Sequence, residues 1–339
     1  MIMEYADLSG TERKIIHSIK GLVKQNNIDN LSRTEAYLRY YQENKAIKWS
    51  FLAHMVSRNA GWNMCDLKGK WFSKVIGKQK RDLLFQTYEK ANWLIFQDAY
   101  PQLLLYQYST KKGKAMFHLL KFFQVSQFME QEWRHYWHSQ DHVRILLALI
   151  INEQNIIQKP VIENSFYKEH VFRTFLFSFQ DWFHYSCVLL PTVNGELFGA
   201  SVNGFRSVDK RIDLGKRLVS ILFHEGLYSY FYEFAINTIH TGSRSDYEQY
   251  LQNKANSVTP ELRLAYPIVH HRMEPLKDWS KQKKLKPNWF TTTVHHRHPV
   301  VLTSWYKRKQ KKLHRTILFK ERLERILSIY KKKEEIMDD

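Results

Sequence analysis

Phe51-Leu-Ala-His-Met-Val-Ser-Arg-Asn-Ala-Gly-Trp-Asn-Met-Cys-Asp66 is the run on which the reading of this chain turns. It sets an ionisable ring, His54, beside Arg58, Asn59, Trp62, Asn63 and Asp66. As a helix, Trp49 to Asn59 puts Leu52, Met55, Val56 and Asn59 on one face, and His54 and Arg58 one turn apart on another. Gly61 reads as the helix stop. A polar cluster embedded in apolar residues is either a hydrogen-bonded core brace or a site.

The helical period continues on both sides. Arg33 to Glu43 carries Tyr37, Tyr40 and Tyr41 on one side. Arg81 to Ala99 is amphipathic and should end at Tyr100-Pro101, because the residue before proline avoids the helical region; Pro101 can then open a helix over Gln102 to Tyr108. Further helices are expected over Ala115 to Trp137, Asp141 to Gln158, Glu169 to Leu190, Asp209 to Ile239 and Thr303 to Lys333. Ile145 to Ile151 is apolar enough to be buried all round. Thr192 to Ser207 is the one strand-and-turn-like stretch, and Val258 to Val300 has no clear period. The fold class expected is mostly α. Residues 10–255 would form a single helical core domain, 256–302 an irregular basic linker, and 303–335 a basic amphipathic helix.

Composition agrees. Of 339 residues only 12 are glycine and 8 proline, so punctuation is too scarce for many short strands. Cys65 and Cys187 cannot make a disulfide framework, and neither has a CxxC partner for zinc. The chain opens without a charged-then-apolar leader pattern and has no 18-residue apolar run, so a cytoplasmic protein with no transmembrane segment is expected. The net charge is +19, of which +11 falls in Arg272 to Asp339, with 19 Lys/Arg against 8 Asp/Glu. Residues 272–335 could therefore meet nucleic acid or an anionic membrane surface.

Several polar groups qualify for chemistry. Asn92 to Pro101 and Ala148 to Gln154 each end an apolar helix on an acid, Asp98 and Glu153, flanked by amides. With His54 they could share a polar pocket, His54 as base and Asp98 or Glu153 as the orienting carboxylate. Arg58, Asn59 and Trp62 would hold the ligand. Thr241-Gly-Ser243-Arg244 offers backbone N–H groups, hydroxyls and a guanidinium, a cradle for a small polar or anionic ligand. The structural alternative is that all of these are braces satisfying buried backbone and one another. Glu132-Trp-Arg-His135 has the Glu-x-x-His spacing of helical carboxylate metal sites, but no second such pair exists; it is a weak metal candidate. Glu225 falls on the inner face of the 209–239 pattern and would need a partner there. There is no Gly-x-Gly-x-x-Gly, P-loop or Gly-x-Ser-x-Gly, so no motif names a cofactor or reaction.

Ser32-Arg-Thr-x-Ala-Tyr37, Leu52 to Met64, Asn92 to Tyr106, Val125-Ser-x-Phe-Met129, Ala148 to Gln154 and Thr241-Gly-Ser-Arg-x-Asp-Tyr247 together resemble a domain-of-unknown-function family of Bacillus-type Firmicutes. The resemblance covers about Asn26 to Tyr250. It implies a bacterial cytosolic protein and supplies no activity.

Overall fold

The computed structural model describes residues 5–172, 187–201, 204–251, 259–275, 277–292 and 299–337. Its long helices are α1 (Gly10–Asn26), α2 (Asn30–Glu43), α3 (Lys48–Asp66), α4 (Lys78–Lys112), α5 (Gln127–Ser139), α6 (His142–Ile156), α7 (Val208–Leu222), α8 (Tyr228–Asn237) and α9 (Thr303–Met337). Local chemistry sets several starts. Ser9 and Glu12 form a reciprocal capping box on α1. The Asp29 carboxylate accepts from Ser32 N at 2.8 Å to open α2, and Ser126 and Asp141 cap α5 and α6. Gly113, at φ 63°, closes α4 in the left-handed conformation that glycine adopts freely.

The α3 helix runs through Gly61 to Asp66. Gly61 is there for its size. A Cβ would meet Asn30 Oδ1 at 2.5 Å and His240 Nε2 at 2.7 Å, so the residue lets two other elements approach the helix backbone. The α4 helix likewise runs through Pro101. An internal proline costs roughly 3 kcal/mol, but Pro101 and its neighbours Tyr100, Leu103, Leu104 and Leu105 are buried, and that packing carries the helix across. The expected 209–239 helix is broken: His224 Nδ1 accepts from Gly226 N at 3.3 Å, and α8 starts at Tyr228. Glu225 falls in this break and is exposed. Similarly, Phe117–Phe123 is a 3₁₀ turn separated from α5 by Gln124 at φ 60°.

The strand-like stretch is a hairpin, Cys187–Pro191 (β1) antiparallel to Leu197–Ser201 (β2). Its first strand occupies what the helical reading gave to the end of Glu169–Leu190; residues 173–186 of that reading lie outside the described residues. The chain is mostly helical and forms a single domain around α3, α4 and α6, whose Phe51, Met55, Phe96, Leu103, Ala148 and Ile151 are fully enclosed. Among the described residues no helix is long and apolar enough to cross a membrane.

The segment after residue 258 lies against this body. Trp279 Nε1 donates to Asn152 Oδ1 at 2.9 Å and Trp289 Nε1 to Asp209 Oδ1 at 2.6 Å. Leu302 N donates to Leu197 O at 2.6 Å. On α9, Tyr306 is buried against Tyr247, and Leu313 and Ile317 pack on Phe72 and Ile76.

Candidate functional site

The α3 polar cluster is sealed. His54 is 1% exposed. Its Nδ1 meets Thr34 O at 2.8 Å, and its Nε2 accepts from Arg58 Nε at 3.1 Å. This pairing requires the neutral ring with its proton on Nδ1. Burial first, then the Arg58 charge, pushes the ring well below the usual histidine range. Among the described residues Arg58 has no carboxylate hydrogen-bond partner. Its Nη2 donates to Ala235 O at 3.2 Å and to Thr238 O, the carbonyls that α8 leaves open at its C-terminus. A cation at this helix end meets the negative end of the dipole. Asn59 grips both backbone groups of Leu189, donating to O at 2.6 Å and accepting from N at 2.7 Å. Trp62 Nε1 donates to Asp246 Oδ2 at 3.0 Å. These four side chains thus tie α3 to α2, to the end of α8, to β1 and to the turn before residue 246.

The Thr241–Arg244 cradle holds an anion that belongs to the chain. The Asp246 carboxylate accepts from Thr241 N, Thr241 Oγ1, Trp62 Nε1 and His240 Nδ1. Ser243 Oγ donates to Thr259 O at 2.8 Å. Arg244 turns inward, with Nη2 at 2.6 Å from Asp66 Oδ2 and Nη1 donating to Tyr247 Oη at 2.6 Å. Burial opposes its charge, but the Asp66 carboxylate outweighs this and holds the guanidinium firmly protonated.

Asp98 and Glu153 hydrogen-bond to amides and an indole, not to His54. Asp98 Oδ2 accepts from Gln102 Nε2 at 2.7 Å and Asn152 Nδ2 at 2.5 Å, while its Oδ1, also buried, has no hydrogen-bond partner among the described residues. Glu153 accepts from Trp49 Nε1 at 3.2 Å and Gln154 Nε2 at 2.9 Å. Burial pushes each carboxyl group up to about 7 against those hydrogen bonds. Between the unfolded value near 4 and the folded value, the folded chain keeps a proton that the unfolded chain releases, so this contribution is full at low pH and is lost as pH rises through 7. His54 works in the opposite direction, since its stability is lost as pH falls below about 6.5. Asp98→Asn should therefore gain on the wild type by about 2 kcal/mol between pH 5.5 and 8 in denaturant titrations. A difference that does not change with pH would show that Asp98 does not titrate with folding.

Glu132 gives both oxygens to Arg144, at 2.7 and 2.8 Å, while His135 is exposed. Among the described residues no three His, Cys, Asp or Glu side chains are grouped to hold a metal ion.

Open space lies elsewhere. A pocket of about 720 Å³ is formed by α1, α4, the Phe122–Gln124 turn and the 268–273 segment. Among the described residues its ionisable lining is Lys20, Lys24, His270 and His271, with no acid. Asn27 and Gln97, joined at 3.2 Å, offer amides, and Trp93 and Phe122 offer rings. A second pocket of about 220 Å³ shares Ile268 and Val269 with it and includes Glu89. None of His54, Arg58, Asn59, Trp62, Asp98, Glu153, Ser243 or Arg244 lines either pocket. Sequence reading passed over this site because its walls come from distant segments. The local signal it left was Val269-His270-His271-Arg272, a basic run in a stretch without period.

A family model described as "Protein of unknown function (DUF2515)" matches residues 25–307, running well past Tyr250. The chain is also 45% identical over 303 residues to the uncharacterized protein YppC of Bacillus subtilis (strain 168), covering 89% of this chain and 94% of that one. No solved structure matches.

Proposed function

The chain belongs to the DUF2515 family, and we propose that it is a binding protein for a small organic anion, held in the pocket between α1, α4 and the 268–273 segment. The observation that carries this reading is the one-sided lining: four basic groups and no acid around a cavity of about 720 Å³. Lys20 and Lys24 would meet the charge, the Asn27 and Gln97 amides would orient it, and Trp93 and Phe122 would cover an apolar or planar body. The His54 and Arg244 clusters would then serve this site at a distance, as the braces that hold α3 against its neighbours.

Native mass spectrometry of freshly purified protein tests the reading. A discrete adduct is expected that is lost on denaturation. In the Lys20→Glu/Lys24→Glu variant, with melting unchanged, its affinity should fall at least tenfold, about 1.4 kcal/mol. An adduct equally tight in that variant would place the ligand elsewhere.

A second reading, nucleic-acid docking along the basic C-terminal region, has its own observation. Trp71 stacks on His314 of α9 with ring centroids 3.9 Å apart, and Lys70 and Lys74 lie over the same ring. Oligonucleotide affinity should then fall steeply between about 50 and 200 mM salt and weaken in Lys70→Glu. Salt-insensitive binding would count against it.

A further inference from the structure

Between the two pockets, three buried groups meet with their polar valences incompletely used. Arg33 Nη2 lies 2.5 Å from Glu89 Oε2 and Arg33 Nη1 donates to Asn27 Oδ1 at 3.2 Å. Glu89 is 3% exposed, yet its other oxygen, Oε1, accepts no hydrogen bond from the described residues. His271 Nε2 faces that oxygen at 3.8 Å, a charge contact too long for a hydrogen bond, and it too has no hydrogen-bond partner. The His271 side chain is 10% exposed and lines the larger pocket, while Glu89 lines the smaller. A buried carboxylate oxygen without a donor is costly. Here the donor stands about 1 Å too far away, on a segment with no regular secondary structure from Tyr266 to Met273.

Building on the pocket reading above, we propose that His271 is a proton-coupled anion ligand: it takes up one proton from solvent when an organic anion binds, and its Nε2–H closes onto Glu89 Oε1. Beside Glu89, the smaller pocket also carries Asp29, paired with Arg263 at 2.7 Å. Glu89 on α4 is backed by Arg33 on α2. Lys20 and Lys24 of α1 and His270 line the same pocket. Lys90 lies over the Trp93 ring, whose other neighbour is the His271 ring at 5.1 Å. An anion placed among these cations adds negative charge beside the ring, and Glu89 supplies the fixed counter-charge. Arg33 holds Glu89 in place, so the carboxylate positions the ring. The site therefore selects anions over neutral isosteres, and more strongly as pH falls into the histidine range.

Isothermal titration calorimetry with naphthalene-2-sulfonate tests this on the full chain. The probe joins a planar body to a charge that does not titrate in the histidine range. Repeating the titration at pH 7.5 in two buffers of different ionisation enthalpy reads the proton directly. Uptake close to one proton is expected, with affinity falling about tenfold per pH unit above this. His271→Asn should abolish the uptake and flatten the pH profile. Glu89→Gln, which keeps an acceptor for Arg33, should do the same; if it fails to fold, His271→Asn decides alone. Binding without proton uptake, or uptake that survives in His271→Asn, overturns the inference and leaves the pocket standing. No binding, or binding untouched by Lys20→Glu/Lys24→Glu, overturns both.

Discussion

Asp66→Ala should lower the unfolding free energy by about 3–5 kcal/mol, the cost of leaving a buried charge without its counter-ion. For a chain this long that is a fall in melting temperature of roughly 4–7 °C. Asp66 is 4% exposed and Arg244 6%, so water cannot replace the lost carboxylate. Arg244 would keep only neutral acceptors, Tyr247 Oη at 2.6 Å and Asn63 Oδ1 at 3.1 Å. The damage should lie in the charge left behind rather than in lost attraction, because desolvating both ions cancels much of what the pair gains. The double variant Asp66→Leu/Arg244→Met should therefore recover most of the loss. Thermal melts of the wild type and both variants check this. A double variant as unstable as the single one would locate the effect in packing around Tyr247 and Tyr306. Asp66 lines neither pocket, so anion affinity in the folded single variant should be unchanged.

The same cluster marks where sequence reading stops. That His54 and Arg58 lie one turn apart follows from the helical period, and they do bond to each other. What they bond to next does not follow: the Arg58 acceptors Ala235 and Thr238 lie 177 and 180 residues away. An embedded polar run reads alike whether its partners are a ligand or another helix's carbonyls. Gly61 is ambiguous in a similar way. Glycine serves either a left-handed turn or a close approach, and only His240 and Asn30 above α3 distinguish the two. Proline's local cost alone predicts a break at Pro101, and the burial that offsets it is not a local property. Asp98 and Glu153 were legible as buried acids at the ends of apolar helices, but the amides beside them, Gln102, Asn152 and Gln154, answer them locally. The basic pocket could not be read at all, since its groups come from α1, α4 and residues 268–273. Helix existence, a local property, was largely legible; which polar groups face open space depends on tertiary contacts.

Truncation after residue 255, the boundary that composition alone suggests, should leave a chain that does not melt cooperatively. The segment removed carries Trp279, Trp289 and Tyr306, which are 7%, 2% and 1% exposed in the whole chain. Losing one buried tryptophan side chain costs about 3–5 kcal/mol, and a typical domain has only about 5–15 kcal/mol in total. The cut also strands groups that stay behind. Asn152 Oδ1 loses the Trp279 indole, Asp209 Oδ1 loses the Trp289 indole, and Leu197 O loses Leu302 N. A second cut, after Phe319, keeps all of these together with Leu313 and Ile317 and should melt within a few degrees of the full chain. Calorimetry on the two truncations thus brackets the end of the folding unit. A cooperative transition in residues 1–255 near the full-length temperature would make the later segment a dispensable extension. Its failure, beside a normal Phe319 truncation, would place the end of the folding unit between residues 255 and 319, the interval in which the family match also ends. The basic charge would then belong largely to the surface of the fold itself, because Lys307, Lys309 and Lys312 are on the same turns of α9 that carry Tyr306 and Leu313 into the core.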